Sequence, residues 1–304
     1  MPLTAGSRKR RPEWLKIRLR TGEKYRRLRS MVAELELNTV CTEARCPNIY
    51  ECWNAGTATF MILGDTCTRR CGFCSVISGR PRPGVDPREP QHVAQAVARL
   101  GLRHAVITSV DRDDLEDGGA EHFRQVIVAI RNGNPTCATE VLTPDFKNKP
   151  GALQTVLDAR PEVFAHNVET VPRLYRTVRP GSRYRTSVGL LADAAGWRDR
   201  EGSAMRVKSS LMLGLGEREE EVLEVFGDLR EAGVDVVTLG QYLQPTASHL
   251  PVERFVHPRE FEAFRDRGMA LGFLHVESGP LVRSSYHAER HRPDPPGLRV
   301  LPTR

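Results

Sequence analysis

The chain has 304 residues, of which 27% are charged and 6% aromatic, an ordinary composition for a globular enzyme with one large core. No apolar run approaches the ~20 residues of a membrane span, and the basic start lacks an apolar signal core, so membrane and secretory classes are excluded and a cytoplasmic protein is expected. The net charge of +7 sits at the ends: residues 1–29 carry +9 and residues 281–304 carry +3, which leaves residues 30–280 at −5. A basic arm suits nucleic acid, an acidic protein or plain solvation, but the mildly acidic body makes nucleic acid an unexpected partner.

In chain order, strand-like runs occur at residues 57–64, 104–110, 138–144, 163–170, 207–215 and 234–243, each short and rich in β-branched residues. Amphipathic helical runs separate them and one follows the last, several ending in Gly or Asn-Gly. Six β/α units in series predict an α/β fold, a partial (β/α)6 TIM-type barrel with N- and C-terminal extensions. The expected division is residues 1–55, a core over 56–280, and 281–304. Polar sets such as GDTCTRRCGFC, TSVDRDDLEDGG, TPDFKNKP, HNVET, MLGLGE and QYLQPTASHLP follow or close strand candidates, where such barrels bind ligands.

Six of the seven cysteines form two triplets: Cys41, Cys46 and Cys52, spaced C-x4-C-x5-C, and Cys67, Cys71 and Cys74, spaced C-x3-C-x2-C. Cys137, in an apolar run, reads as a small buried hydrophobe. A reducing compartment argues against disulfides, and structural zinc wants four ligands, usually in closer pairs. Soft thiolates in threes suit iron-sulfur clusters, with one iron left open to a substrate or cofactor.

The C-x3-C-x2-C triplet, with Phe73 before its last cysteine and placed after the first strand, resembles the radical S-adenosylmethionine (SAM) superfamily. CTEARCPNIYECW at 41–53 and GPLVRSSYHA at 279–288 resemble the auxiliary-cluster and R-S-S-Y motifs of the lipoyl synthase family, and the similarity runs from about residue 30 to 288. The resemblance implies two 4Fe-4S clusters. Cys67, Cys71 and Cys74 would hold the SAM-binding cluster, and Cys41, Cys46 and Cys52 with Ser285 the auxiliary one. It further implies cleavage of SAM to a 5′-deoxyadenosyl radical and insertion of two sulfurs, at the cost of two SAM per lipoyl group, into an octanoyl-lysine. The implied partners are octanoylated lipoyl carrier proteins (lipoyl domains and glycine cleavage H protein), an electron donor such as ferredoxin or flavodoxin, and an iron-sulfur carrier protein. The basic arm is expected to steer an acidic carrier domain.

Phe73, Thr108, Ser109, Asp111, Asn167, Glu169 and Lys208 are the candidate SAM contacts, Phe73 near the adenine. Asn167 and Glu169 alternate along a strand, so they share a side and look like ligands for the ribose and methionine ends of SAM; the alternative is a hydrogen-bonded barrel rim. Arg179 and Lys208 suit carboxylate binding or the surface; Arg69 and Arg70 suit the neighbourhood of an anionic cluster or the surface. Arg283 is placed near the auxiliary cluster by its spacing from Ser285. The histidines at 166, 249, 257, 275 and 287 lack a ligand spacing and read as structural or surface groups. Gly214 and Gly216 suit a close backbone approach to the adenosine. The alternatives are a biotin-synthase-like sulfur-inserting enzyme, a non-enzymatic iron-sulfur protein and a zinc-containing nucleic-acid binder.

Overall fold

The computed structural model describes residues 10–16, 23–35, 37–40, 46, 48–55, 57–82 and 84–293. Among them are ten strands: β1 (Asn38–Thr39), β2 (Ala58–Ile62), β3 (Thr66–Cys67), β4 (Ile77–Ser78), β5 (His104–Ser109), β6 (Ala138–Leu142), β7 (Val163–Ala165), β8 (Arg206–Leu213), β9 (Val236–Gln241) and β10 (His275–Gly279). One sheet runs in the order β1-β2-β5-β6-β7-β8-β9-β10, and β3 pairs with β4 separately. Every ladder of the main sheet is parallel except that of β1 with β2. The six expected strands are β2 and β5 to β9, and the expected helices lie at Glu89–Leu100, Ala120–Gly133, Ala152–Asp158, Tyr184–Arg200, Glu219–Glu231 and Pro258–Ala270. The sheet curves as a partial barrel that stays open, because no ladder joins β10 to β1 or β2 among the described residues.

The register explains both faces. Met61, Thr108, Leu142, Ala165, Lys208, Val236 and His275 form one aligned row, so residues of the same parity share its face. That face carries Thr59, His104, Glu140, Lys208, Ser210, Thr238 and Glu277 and is unusually polar. Its hydrogen bonds run across strands: Lys208 Nζ reaches Glu140 Oε1 at 2.7 Å, and Thr238 Oγ1 donates to Ser210 Oγ at 2.8 Å. The opposite face carries Phe60, Ile62, Ala105, Ile107, Val141, Phe164, Val207, Leu211, Val237 and Leu239, all buried in the main apolar core. The strands therefore alternate between an apolar outer side packed in the core and a polar side that faces the barrel interior.

The chain after β10 lies along the inner, open side. Gly240 on β9 packs directly under it, since a Cβ there would stand 2.0 Å from the Val282 carbonyl oxygen. Thr59 Oγ1 of β2 donates to Ser285 Oγ at 3.0 Å, and Thr57 Oγ1 to Glu289 Oε2 at 3.4 Å. Helix Ile49–Ala55 and the residue before it hold the same segment: Asn48 Nδ2 donates to the Leu281 carbonyl at 2.6 Å and Tyr286 Oη to Glu51 Oε1 at 3.1 Å. At the amino end, Leu15 is buried and Trp14 meets the His257 ring edge-on at 5.1 Å, so residues 10–16 pack on the barrel. Among the described residues no helix is long and apolar enough to cross a membrane.

Candidate functional site

Cys67 ends β3, and Cys71 and Cys74 lie in the loop to β4. Three other loops fix that turn. Thr68 N and Oγ1 both donate to the Asp111 carbonyl, at 3.0 and 2.9 Å. Gly72 N donates to the Val178 carbonyl at 2.9 Å, and the Gly72 carbonyl accepts from Leu250 N at 3.1 Å. His249 Nε2 lies 2.9 Å from the Cys74 carbonyl, so this histidine is an anchor of the cysteine loop. Phe73 packs beside the apolar group of Val178, Leu215 and Tyr242.

The electrostatics oppose bare thiolates. Burial, aided by the Asp111 charge, pushes the Cys67 thiol up to about 12. Burial also pushes Cys71 up to about 12 against the pull of Arg179, and raises Cys74, with Asp111 and Glu169 adding to it. Three soft sulfurs that resist ionisation unless a cation compensates them are a donor set for iron rather than free nucleophiles.

Nearby stand buried polar atoms without hydrogen-bond partners among the described residues, Ser109 Oγ, Thr143 Oγ1, Asn167 Oδ1 and Thr170 Oγ1, together with Asp111 Oδ1, which has only the Arg69 ion pair at 3.3 Å. They follow or close β5, β6 and β7 at the carboxyl ends, and orphaned buried groups call for a polar ligand. β7 ends at Ala165, so Asn167 and Glu169 are not brought together by strand alternation; they meet in the segment that follows it, Asn167 Nδ2 donating to Glu169 Oε1 at 3.1 Å. Burial raises the Glu169 and Asp111 carboxyls above the usual carboxylate range, against the Arg179 charge and, at Asp111, that of Arg69 too. Glu169 also has a left-handed backbone (φ 67°), a strained conformation for a non-glycine residue. Thr108 instead donates its hydroxyl to the Leu142 carbonyl at 2.9 Å, which leaves only its lone pairs free.

Several sequence-based expectations change. Arg179 and Lys208 are both buried, so neither is a surface cation. Arg179 Nη1 donates to the Asn167 carbonyl at 2.6 Å and its charge reaches Cys71, Glu169 and Asp111. Lys208 is held inside the barrel by Glu140, apart from the orphaned atoms at the rim. Arg70 is exposed, whereas Arg69 is buried in a carboxylate cage. Its guanidinium donates to Asp113 at 2.9 and 3.0 Å, to Asp145 at 2.5 Å and to Ser182 at 2.9 Å, and lies 3.3 Å from Asp111. Gly214 is required by the protein itself, since its φ is +98° and a Cβ would fall 2.5 Å from the Arg254 carbonyl.

The second thiol set lies elsewhere. Cys41 is outside the described residues. Cys46 is half-buried, its thiol raised by burial and lowered by the Arg283 charge, and Cys52 interacts electrostatically with Tyr286. Both cysteines therefore border the segment that carries Arg283, Ser285 and Tyr286. Cys137 is buried, as expected of a small hydrophobe, and the described cysteines are all free thiols. Thr59, Thr143, Asp145, Thr170 and His249 also belong to these sites. Asp145 and His249 lay in polar loops flagged as a group, whereas Thr59 was hidden in an apolar run.

Two family models match: that of the radical SAM superfamily over residues 61–248, and the N-terminal domain of lipoyl synthase of the radical SAM family over residues 1–46. The chain is 55% identical over 284 residues to a lipoyl synthase of Rubrobacter xylanophilus, covering 93% of this chain and 87% of that one. It is also 55% identical to one of Thermus thermophilus, covering 92% and 86%. The chain belongs to the lipoyl synthase family. It is a radical SAM enzyme, and SAM and 4Fe-4S clusters are its cofactors. The fold is similar to methylornithine synthase (TM-score 0.52, 14% identity, 83% of this chain and 81% of that one). It is also similar to Streptococcus suis SuiB bound to S-adenosylmethionine (TM-score 0.56, 12% identity, 76% and 53%).

The packing of Gly240 gives a test of the segment after β10. A Cβ at Gly240 would stand 2.0 Å from the Val282 carbonyl oxygen, so Gly240→Ala should shift the Val282 backbone and with it Ser285, three residues on, without a direct contact to the loop of Cys67, Cys71 and Cys74. Thiolated product should fall roughly 100-fold, the scale of an ångström-sized misplacement, with 5′-deoxyadenosine formation retained. Equal loss of both in a paired product assay would show that the segment serves the whole barrel.

Proposed function

We propose that the chain inserts two sulfur atoms at carbons six and eight of octanoyl-lysine on lipoyl carrier proteins, and that its two thiol sets have separate roles. The observation that supports this reading is the difference in their surroundings: Cys67, Cys71 and Cys74 meet the loops that follow the main-sheet strands, whereas Cys46 and Cys52 border the Ser285 segment. When bound, the cofactors supply hydrogen abstraction from unactivated carbon, which no side-chain acid or base achieves at neutral pH, and the sulfur.

In this reading Cys67, Cys71 and Cys74 hold the SAM-binding cluster, while Cys41, Cys46, Cys52 and Ser285 hold the auxiliary one. The orphaned Ser109 and Asn167 atoms, with Asp111 and Glu169, take the polar groups of SAM. Arg179 balances the negative charge gathered there. The segment after β10 shields the open side of the barrel from water. Ser285 offers oxygen among thiolates, a harder ligand whose iron bond exchanges more readily. Residues 1–55 and 281–304 act as extensions that complete the 56–280 core. A ferredoxin or flavodoxin serves as electron donor, an iron-sulfur carrier protein rebuilds the auxiliary cluster, and the enzyme works in the cytoplasm without nucleic acid or membrane.

Anaerobic assay of the reconstituted chain with SAM, dithionite and an octanoyl-lysyl peptide tests the proposal. Both 5′-deoxyadenosine and thiolated peptide are expected. Deoxyadenosine with no thiolated peptide would refute the sulfur-insertion assignment.

A further inference from the structure

Deeper in the barrel lies a group of side chains that neither thiol set uses. His275 and Glu277 project from β10 onto the inner face, and His291 reaches them from the segment beyond Ser285. One ligand atom from each lies within 4.8 Å of the others. His275 Nε2 and Glu277 Oε2 stand 3.2 Å apart, close to the ~3.3 Å that separates two ligands of a tetrahedral ion at about 2.05 Å. His291 is only 2% exposed, and neither ring nitrogen has a hydrogen-bond partner among the described residues. Its ring centroid lies 4.7 Å from that of His275. A buried imidazole with both nitrogens unmet carries a desolvation cost that a ligand would remove.

The nearby charges permit a cation. Lys208, whose charge reaches His291, is itself paired with Glu140 at 2.7 Å, and the Glu277 carboxylate meets the His275 ring and the charge of Arg290, so a cation here would share that carboxylate with its neighbours. Two imidazoles and a carboxylate are borderline-hard donors, suited to a first-row divalent ion and distinct in kind from the sulfur sets.

We propose that His275, Glu277 and His291 form a divalent metal site, taking Zn2+ or a similar ion, which fastens the segment bearing Ser285 to β10. His291 follows Ser285 by six residues, so the ion fixes one end of the stretch whose other end, at Val282, packs over Gly240. On the reading that Ser285 is the oxygen ligand, the site sets the position of that ligand.

The test uses cluster-reconstituted enzyme, whose cysteines are occupied, exposed to Zn2+ and desalted. Wild type should retain about one zinc per chain, with X-ray absorption showing nitrogen and oxygen neighbours near ~2.0–2.1 Å and none at the ~2.3 Å of sulfur. His291→Ala and, independently, Glu277→Gln should each lower zinc retention at least tenfold with iron and sulfide contents unchanged. Sulfur neighbours in wild type, no zinc uptake, or retention unchanged in both variants would overturn the proposal. If a variant fails to hold its clusters, the wild-type absorption spectrum alone decides.

Discussion

Replacing Cys71 by alanine should abolish both 5′-deoxyadenosine and thiolated peptide, whereas replacing Cys52 should abolish only the peptide product. The two cysteines face different surroundings. Cys71 lies in the field of Arg179, Asp111 and Glu169 beside the orphaned atoms of β5 to β7, and Cys52 lies against Tyr286 of the Ser285 segment. Loss of a thiolate from a three-cysteine set removes the cluster it holds, so each variant should carry about four irons per chain where the intact enzyme carries about eight. Product loss should exceed roughly 1,000-fold in both cases, because no side chain replaces cofactor-borne hydrogen abstraction or sulfur donation. Iron analysis with simultaneous quantification of both products checks it. Deoxyadenosine made at the normal rate by the Cys71 variant would contradict the assignment of the first set.

Arg69→Met should destabilise the reconstituted enzyme by about 3–5 kcal/mol, the usual cost of removing one partner from a buried ionic group. Burial alone would raise the Asp145 carboxyl, yet the hydrogen bond and charge of Arg69 hold it at about 2. Without the guanidinium, Asp145 and the partly buried Asp111 and Asp113 are left facing one another. Lys147 answers only Asp113. Thermal unfolding should shift down by roughly 6–10 °C. Adding Asp145→Asn to the variant should restore part of the loss, since a neutral amide is cheaper to bury than an unpaired carboxylate. A single-variant shift within the range of an ordinary surface substitution, about 0.5 kcal/mol, would show that the cage is not structural. The cage also ties the cysteine loop to the loops after β5 and β6, so SAM affinity should weaken with it.

The parallel strands were readable because their outer face is apolar and β-branched, and the cysteine sets were readable from spacing alone. β10 escaped that reading. His275, Glu277 and Gly279 point inward and break the apolar run, so a polar barrel interior inverts the pattern by which strands are recognised. The same inversion hid Thr59, whose hydroxyl meets Ser285 across 226 residues of sequence. Lys208 was assigned by charge, but its role depends on Glu140, 68 residues earlier, and only the register brings those two together. Arg69 and Arg70 are adjacent and chemically identical in sequence, yet one is caged by three aspartates and the other faces solvent. Spacing identifies donors for a metal; long-range pairing decides which neighbours tune them.

The division of labour between the two thiol sets is tested most directly by the fate of labelled sulfur. The enzyme is reconstituted with iron and heavy-isotope sulfide, desalted, and allowed one anaerobic turnover with SAM, dithionite and an octanoyl-lysyl peptide. Mass spectrometry of the product should show both inserted sulfurs labelled, with the Cys52 variant giving no product. A product carrying unlabelled sulfur, or labelled product from the Cys52 variant, would contradict the account.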